Sequence, residues 1–61
     1  MWFRVHVAYK ENGRNFCTRE VVEAESREEA KKIAAQKVID ESYGDVEIEW
    51  KFCKTYIVKG K

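Results

Sequence analysis

A change of hydrophobic period at Ser26 constrains the fold of this chain more than any other feature. Up to Ala24 apolar side chains alternate with polar ones, as in a strand, whereas beyond Ser26 they recur about every 3.6 residues, as in a helix. Ser26 suits the N-cap position, and Glu29, three residues later, can complete a capping box. The segment therefore predicts a strand that leads directly into a capped helix.

The chain before this junction predicts a β-hairpin. Apolar and polar side chains alternate over residues 2–10. Asn12 and Gly13 follow, and this dipeptide accepts the positive φ angles of a type I′ turn. With these two residues as the loop, Tyr9 lies opposite Phe16.

The same register predicts a second strand over about residues 14–24 and turns Glu20 toward the core. A buried carboxylate there indicates either a local bulge or an edge strand whose inward charge discourages aggregation. We favour the edge strand.

The helix is predicted over residues 27–42, with Gly44 available for a left-handed C-cap. Residues 46–58 are predicted as one long strand with a bulge, and the alternative is a bent strand or a short hairpin that gives a fourth strand. The apolar stripe of the helix comprises Ala30, Ile33, Ala34 and Val38, with Ile39 beside it.

Short connections and the hairpin favour an α+β fold of ββαβ type in a single domain over residues 1–61. The sheet is antiparallel and three-stranded in the order 2-1-3, with a short fourth strand as the alternative, and one helix packs on one face. The core face is expected to carry Phe3, Val5, Val7, Tyr9, Val22, Val46, Ile48, Trp50 and Phe52.

Composition excludes several classes of protein. Twelve Lys and Arg against eleven Asp and Glu give a net charge of +1, less basic than a dedicated duplex-DNA binder. Two cysteines are too few for a secreted disulfide scaffold, and no apolar run is long enough to cross a membrane. We therefore expect a cytoplasmic protein with reduced thiols and no membrane partner.

The uncovered face of the sheet is the expected binding surface, because it combines a large aromatic side chain with arginine, as interface anchors do. The leading hypothesis is a non-catalytic protein-binding module that acts through this face or a strand edge, on a larger protein or nucleoprotein complex or as a homodimer. The alternative is a single-stranded nucleic-acid-binding protein that uses the same face. The candidate binding residues are Trp2, Arg4, His6, Arg19, Lys51 and Lys54.

Metal binding and catalysis have weaker support. His6, Cys17 and Cys53 could share the open face, but Cys17 and Cys53 would lie about 10 Å apart, on strands either side of the first. That separation is wide for one ion and too wide for a disulfide. The chain has a single histidine, and no Ser-His-Asp or Cys-His spacing typical of catalysis stands out. We therefore expect no enzyme activity, no metal and no cofactor.

Small phage and mobile-element accessory proteins share a pattern that this chain resembles between its second strand and its helix: Val22-x-Ala24-x-Ser26-x-Glu28-Glu29-Ala30-Lys31-x-Ile33-Ala34. Small anti-CRISPR inhibitors are similar in having a hairpin, one helix and then another strand or two. The resemblance implies a stand-alone accessory protein that binds and blocks a larger host machine. It carries over no catalytic residues. The near-neutral charge differs from that of acidic DNA-mimic inhibitors.

Overall fold

The computed structural model describes residues 1–59 and confirms the α+β fold, with the order β2-β1-β3 and a fourth strand paired with β1. A short 3₁₀ turn, Trp50–Phe52, separates the last two strands. The elements in chain order are β1 (Trp2–Glu11), β2 (Arg14–Glu23), α1 (Arg27–Glu41), β3 (Val46–Ile48) and β4 (Lys54–Val58).

The hairpin forms in the predicted register. Asn12 and Gly13 have φ angles of 52° and 83°, as a type I′ turn requires, and Tyr9 lies opposite Phe16. The pairing of β1 with β2 then continues without interruption from Glu11 opposite Arg14 to Trp2 opposite Glu23.

β2 is an edge strand, as predicted, and it contains no bulge. Glu20 lies opposite Val5, which is fully buried beneath the helix, so Glu20 is on the helix side of the sheet and is itself half-buried. An inward carboxylate at a sheet edge is one of the features that discourage uncontrolled edge-to-edge pairing.

The helix begins with the predicted cap. Ser26 Oγ accepts a hydrogen bond from the Glu29 N–H at 3.2 Å, while Glu29 Oε1 accepts from the Glu25 N–H at 3.4 Å. The carboxylate thus reaches the residue before the N-cap, a variation on the capping box. Arg27 Nη1 donates to Thr55 O at 2.8 Å, which ties the first turn of the helix to β4.

The helix does not end as predicted. Ser42 is the C-cap in an extended conformation, and its N–H and hydroxyl both donate to Ile39 O. Gly44 does not adopt a left-handed conformation, so the prediction of a glycine C-cap is wrong. Gly44 instead allows a close approach to Asn12 at the hairpin tip.

The core lies between α1 and the sheet. Small helix residues let the helix approach closely, and Ala30 and Ala34 are fully buried against β1 side chains. Ile39 is 43% exposed and lies outside the core. The core residues are Phe3, Val5, Val7, Val22, Ala24, Ala30, Ala34, Val38 and Cys53.

The prediction of one long strand over residues 46–58 is wrong, and a fourth strand forms. It does not arise from a hairpin, because β3 and β4 both pair antiparallel with β1. Ile48 lies opposite Tyr9, and Lys54 lies opposite His6. The partner strand therefore advances six residues while β1 goes back only three. The 3₁₀ turn accommodates the three extra residues and reverses the alternation.

Two aromatic side chains therefore leave the predicted core. Trp50 and Phe52 are 50% and 57% exposed, and Cys53 and Thr55 are buried on the helix side instead. Trp50 and Phe52 lie on the 3₁₀ turn itself and are on no strand face. The odd register shift accounts for the burial of Cys53 and Thr55, because moving a strand by an odd number of residues turns every side chain to the other face.

Candidate functional site

The helix covers one face of the sheet, and we call the opposite face the open face. Val5 and Val7 of β1 are buried under the helix, so the β1 side chains that alternate with them point to the open face. Residues paired with these on the neighbouring strands lie on the same face. Its central members are Trp2, Arg4, His6, Ala8, Cys17, Arg19, Val21, Lys54, Tyr56 and Val58.

Three cationic side chains, Arg4, Arg19 and Lys54, form what we call the basic cluster. His6 lies between Arg19 on β2 and Lys54 on β4, and Arg4 is two residues away along β1. Arg4 Cζ lies 5.5 Å from the centroid of the Tyr56 ring, within the range of a cation–π contact. The hairpin register and the β1–β4 pairing together bring these side chains to one place.

His6 is at the centre of the basic cluster and remains neutral near pH 7. Burial lowers the pKa of His6 from its ordinary value of 6.5, and the charges of Arg19, Arg4 and Lys54 lower it further. Its Nε2 atom is buried without a hydrogen-bond partner among residues 1–59. The positive charge of the open face is therefore carried by the three cations.

Apolar and aromatic side chains adjoin the basic cluster toward the start of β1. Val21 and Tyr56, on either side of Arg4, are each 41% exposed. The Tyr56 ring also lies 5.1 Å from that of His6, centroid to centroid, with the planes tilted by 57°. Trp2 and Val58 are paired in the next row and are half-buried. The face thus offers an apolar patch beside a charged one.

Carboxylates on this face lie toward its two ends. Glu23 is opposite Trp2, and Glu47 is opposite Lys10 near the hairpin tip. In the described part of the chain, no carboxylate is paired in the rows of Arg4 and His6. An anionic partner would therefore meet uncompensated positive charge at the centre of the face.

Most of the predicted binding residues meet on the open face. Trp2, Arg4, His6, Arg19 and Lys54 lie together there, as the pairing of β1 with both neighbours requires. Lys51 does not join them, because it lies on the 3₁₀ turn with Nζ 5.3 Å from the Phe52 ring centroid.

Sequence reasoning considered Tyr56 as a second exposed aromatic but did not include it among the binding residues. Its place beside Arg4 depends on the register shift at the 3₁₀ turn, and the only sequence signal was the loss of a clear alternation around Cys53.

The two cysteines lie in different environments. Cys17 is exposed on the open face, whereas Cys53 is buried on the helix side, so the hypothesis that both share the open face with His6 is wrong. Ala8 N–H donates to Cys53 Sγ at 3.4 Å. Within residues 1–59, no group of three His, Cys, Asp or Glu side chains could hold a metal ion.

A concavity of about 510 Å³ lies at the hairpin tip. It is separated from the basic cluster by several residues of β1, about 13 Å from Lys10 to His6 at strand spacing. No cysteine or histidine lines it; its lining is Lys10, Asn12, Gly13, Asp45, Val46 and Glu47.

Comparison with known proteins adds no assignment. No family model, curated protein or solved structure matches the chain. Over residues 1–59, no helix is long and apolar enough to cross a membrane. The case for function therefore depends on the geometry of the open face.

Proposed function

We propose that the chain is a small non-catalytic protein-binding module that receives an acidic protein surface on its open face. One observation carries the proposal: the basic cluster adjoins exposed apolar side chains and has no carboxylate in its own rows. Such a surface provides both charge complementarity and apolar area for a partner.

The residue types on this face are those that dominate binding energy in protein interfaces. Trp, Tyr and Arg are enriched among hot spots, and such residues cluster near the centre of an interface. Arg4 and Tyr56 are adjacent on paired strands, and Trp2 follows in the next row. Both strands belong to the regular sheet, so the anchors are held in place before binding, which reduces the entropy lost on association.

The proposal extends to the nature of the partner. The resemblance to small phage and mobile-element accessory proteins supports a larger protein or nucleoprotein complex of the host as the target, with inhibition as the outcome of binding. On this view the inhibitor acts by covering a surface of its target and carries out no reaction on it.

Affinity capture from the host lysate tests this function when it is combined with matched variants. Wild-type protein, Arg4→Glu and Tyr56→Ala serve as baits, and Lys37→Glu is the control because it makes the same charge change on the exposed side of the helix. We expect one stoichiometric protein, retained after nuclease treatment, that both open-face variants lose and the control keeps. Equal capture by all four baits would refute this use of the open face.

A second candidate function is single-stranded nucleic-acid binding. The specific observation in its favour is the contiguous arrangement of Arg4, Tyr56 and His6, with one cation–π contact and one ring contact between them. Open sheets that bind single strands combine stacking rings with cations in this way.

Titration of a labelled single-stranded oligothymidylate and oligouridylate, followed by fluorescence anisotropy at several salt concentrations, tests the second candidate. If three cations each neutralise a phosphate, the logarithm of the affinity should fall with the logarithm of salt with a slope of about −2. Binding that is absent at low salt, or unchanged in Arg4→Glu, would rule it out. Nuclease-sensitive capture would favour it over the protein partner.

A further inference from the structure

β2 presents the long free edge of the sheet. It has ten residues, all paired with β1 on one side, and no neighbour among residues 1–59 on the other. The opposite edge is different, because β3 and β4 have three and five residues and the 3₁₀ turn interrupts them. Only β2 offers a continuous row of backbone donors and acceptors to another chain.

The backbone groups on that free edge can be identified. Ala8 directs its N–H and C=O toward Cys53 and Glu49, away from β2, so its neighbour Tyr9 directs its own groups toward Phe16. By alternation along β2, even-numbered residues bond to β1. The residues whose backbone N–H and C=O groups point to the free edge are Asn15, Cys17, Arg19, Val21 and Glu23.

We infer that β2 pairs antiparallel with β2 of a second copy of this chain, about a two-fold axis at Cys17. A two-fold axis perpendicular to the sheet keeps both helices on one side and makes the interface self-complementary. The axis also restricts the register, because two residues that lie opposite each other must have their side chains on the same face. A residue whose backbone groups point to the free edge must likewise lie opposite another such residue of the second copy.

Charge selects the register centred on Cys17. In it Arg14 lies opposite Glu20 of the second copy, and the symmetry repeats this pair. Opposite charges in cross-strand pairs stabilise a sheet, and like charges destabilise it. The inward Glu20, which discourages other pairings, gains a partner in this one.

Other registers are less favourable. An axis at Arg19 or at Glu20 places that residue opposite its own copy, like charge against like charge. An axis at Thr18 sets Phe16 against Glu20. An axis at Val21 pairs Arg19 with Glu23 but joins only residues 19–23, against residues 14–20 in the proposed register.

The two helices leave room for this pairing. Helix α1 contacts β1, β2 and β4 and so lies over the central strand β1. From β1 of one copy to β1 of the other there are three strand spacings, roughly 14 Å at about 4.8 Å each. Packed helices need only about 8–10 Å between axes, so α1 does not obstruct its counterpart. The exposed Phe16 side chain lies on the helix side and can fill part of the gap.

Cys17 provides the test, because the axis brings it opposite its own copy. Hydrogen-bonded partners in antiparallel strands have Cα atoms about 5.5 Å apart, within the range that a disulfide spans. With oxidised glutathione as the oxidant, we expect a Cys17–Cys17 dimer, identified by peptide mapping, that forms faster as protein concentration rises. Arg14→Glu should slow its formation about tenfold, because both charged pairs become repulsive, and Arg14→Glu combined with Glu20→Arg should restore it.

A matched set of variants makes the outcome decisive. Lys37→Glu controls for net charge, and Thr18→Cys in a Cys17→Ser background reports the competing register centred on residue 18, where we expect slow cross-linking because Phe16 would lie opposite Glu20. Faster cross-linking at residue 18 than at Cys17, indifference to the charge exchange, or a strict monomer by sedimentation at millimolar concentration would each overturn the inference. A monomer whose captured partner protects the β2 amides from hydrogen exchange would assign this edge to that partner instead. The inference stands apart from the proposed function, since the open face and the β2 edge are different surfaces.

Discussion

Gly44 lies so close to the side chain of Asn12 that a Cβ atom built on it would sit 2.7 Å from Asn12 Oδ1. The Asn12 N–H also donates to Asp45 O at 3.2 Å. These contacts join the hairpin tip to the segment that follows the helix. A side chain at position 44 would therefore displace the exposed amide end of the Asn12 side chain.

We predict that Gly44→Ala lowers the free energy of unfolding by no more than about 0.5 kcal/mol, because the new methyl group has only to displace the exposed end of the Asn12 side chain. The cost should disappear in an Asn12→Gly background, where the obstructing side chain is gone and the positive φ angle is still accepted. Urea unfolding of the four proteins in this cycle measures the coupling. An equal cost in both backgrounds would show that position 44 needs glycine for its backbone alone.

Two phenylalanines that sequence reasoning placed in the same core should behave differently. Phe3 is 2% exposed and Phe52 is 57% exposed. We predict that Phe3→Ala costs about 3–5 kcal/mol, comparable with the total stability of roughly 3–9 kcal/mol expected for a chain of this length. Phe52→Ala should change stability by less than about 0.5 kcal/mol. Thermal unfolding followed by circular dichroism compares them, and similar losses would contradict the exposed position of the 3₁₀ turn.

The features that sequence predicted correctly are those whose causes are local. The Asn12-Gly13 turn fixes its own φ angles and so the register of β1 with β2, and the Ser26 cap depends on an amide three residues away. The inward position of Glu20 follows from the hairpin register, because one fixed pair determines which side chains of β2 point to the helix.

The wrong predictions concern residues whose structure depends on strand pairing with a distant part of the chain. Val46, Ile48, Trp50 and Phe52 alternate as a strand should, yet the pairing with β1 shifts by three residues between Ile48 and Lys54. Within residues 46–58 the loss of a clear alternation around Cys53 marks the place of the shift but does not give its size, because the size depends on where β1 offers free hydrogen-bonding groups. The positions of Tyr56, Cys53 and Lys51 all follow from it, so these are the site residues that sequence reasoning missed or misplaced.

The two thiols should react at very different rates. Cys17 is exposed, whereas Cys53 is 7% exposed and its Sγ accepts a hydrogen bond from Ala8 N–H. We predict that one thiol reacts quickly with a thiol-specific reagent in the native protein and that the second reacts only as the chain unfolds. Absorbance with an aromatic disulfide reagent, with and without denaturant, counts them. Rapid modification of both would show that the segment around Cys53 opens readily.

Thr55 offers a route to higher stability. Its side chain is buried on the helix side, and its hydroxyl oxygen has no hydrogen-bond partner among residues 1–59. Replacing a buried unsatisfied hydroxyl with a methyl group of similar shape removes a desolvation cost, so Thr55→Val should raise the free energy of unfolding by about 1 kcal/mol. Thr18→Val, at a half-buried position on β2 across the central strand β1, is the control and should change stability less. A loss of stability in Thr55→Val would mean that the hydroxyl is satisfied in solution.

The stability of the protein should fall as His6 becomes protonated. Burial, with Arg19, Arg4 and Lys54, holds the pKa of His6 below 6.5, so between the folded pKa and 6.5 the unfolded chain binds more protons than the folded one. The resulting stability is complete above pH 6.5 and is lost as pH falls through the folded pKa. His6→Gln should remove this dependence in urea unfolding as the pH falls below 6.5.

The same geometry makes a residue-specific prediction for titration. His6 is the single histidine, so one imidazole proton resonance reports its pKa directly by NMR. Arg19→Gln removes a facing positive charge and should raise the pKa of His6, whereas Lys37→Gln, on the helix, should leave it unchanged. A wild-type pKa at or above 6.5 would mean that the His6 ring does not lie buried among the three cations, and the arrangement of the basic cluster would then need revision.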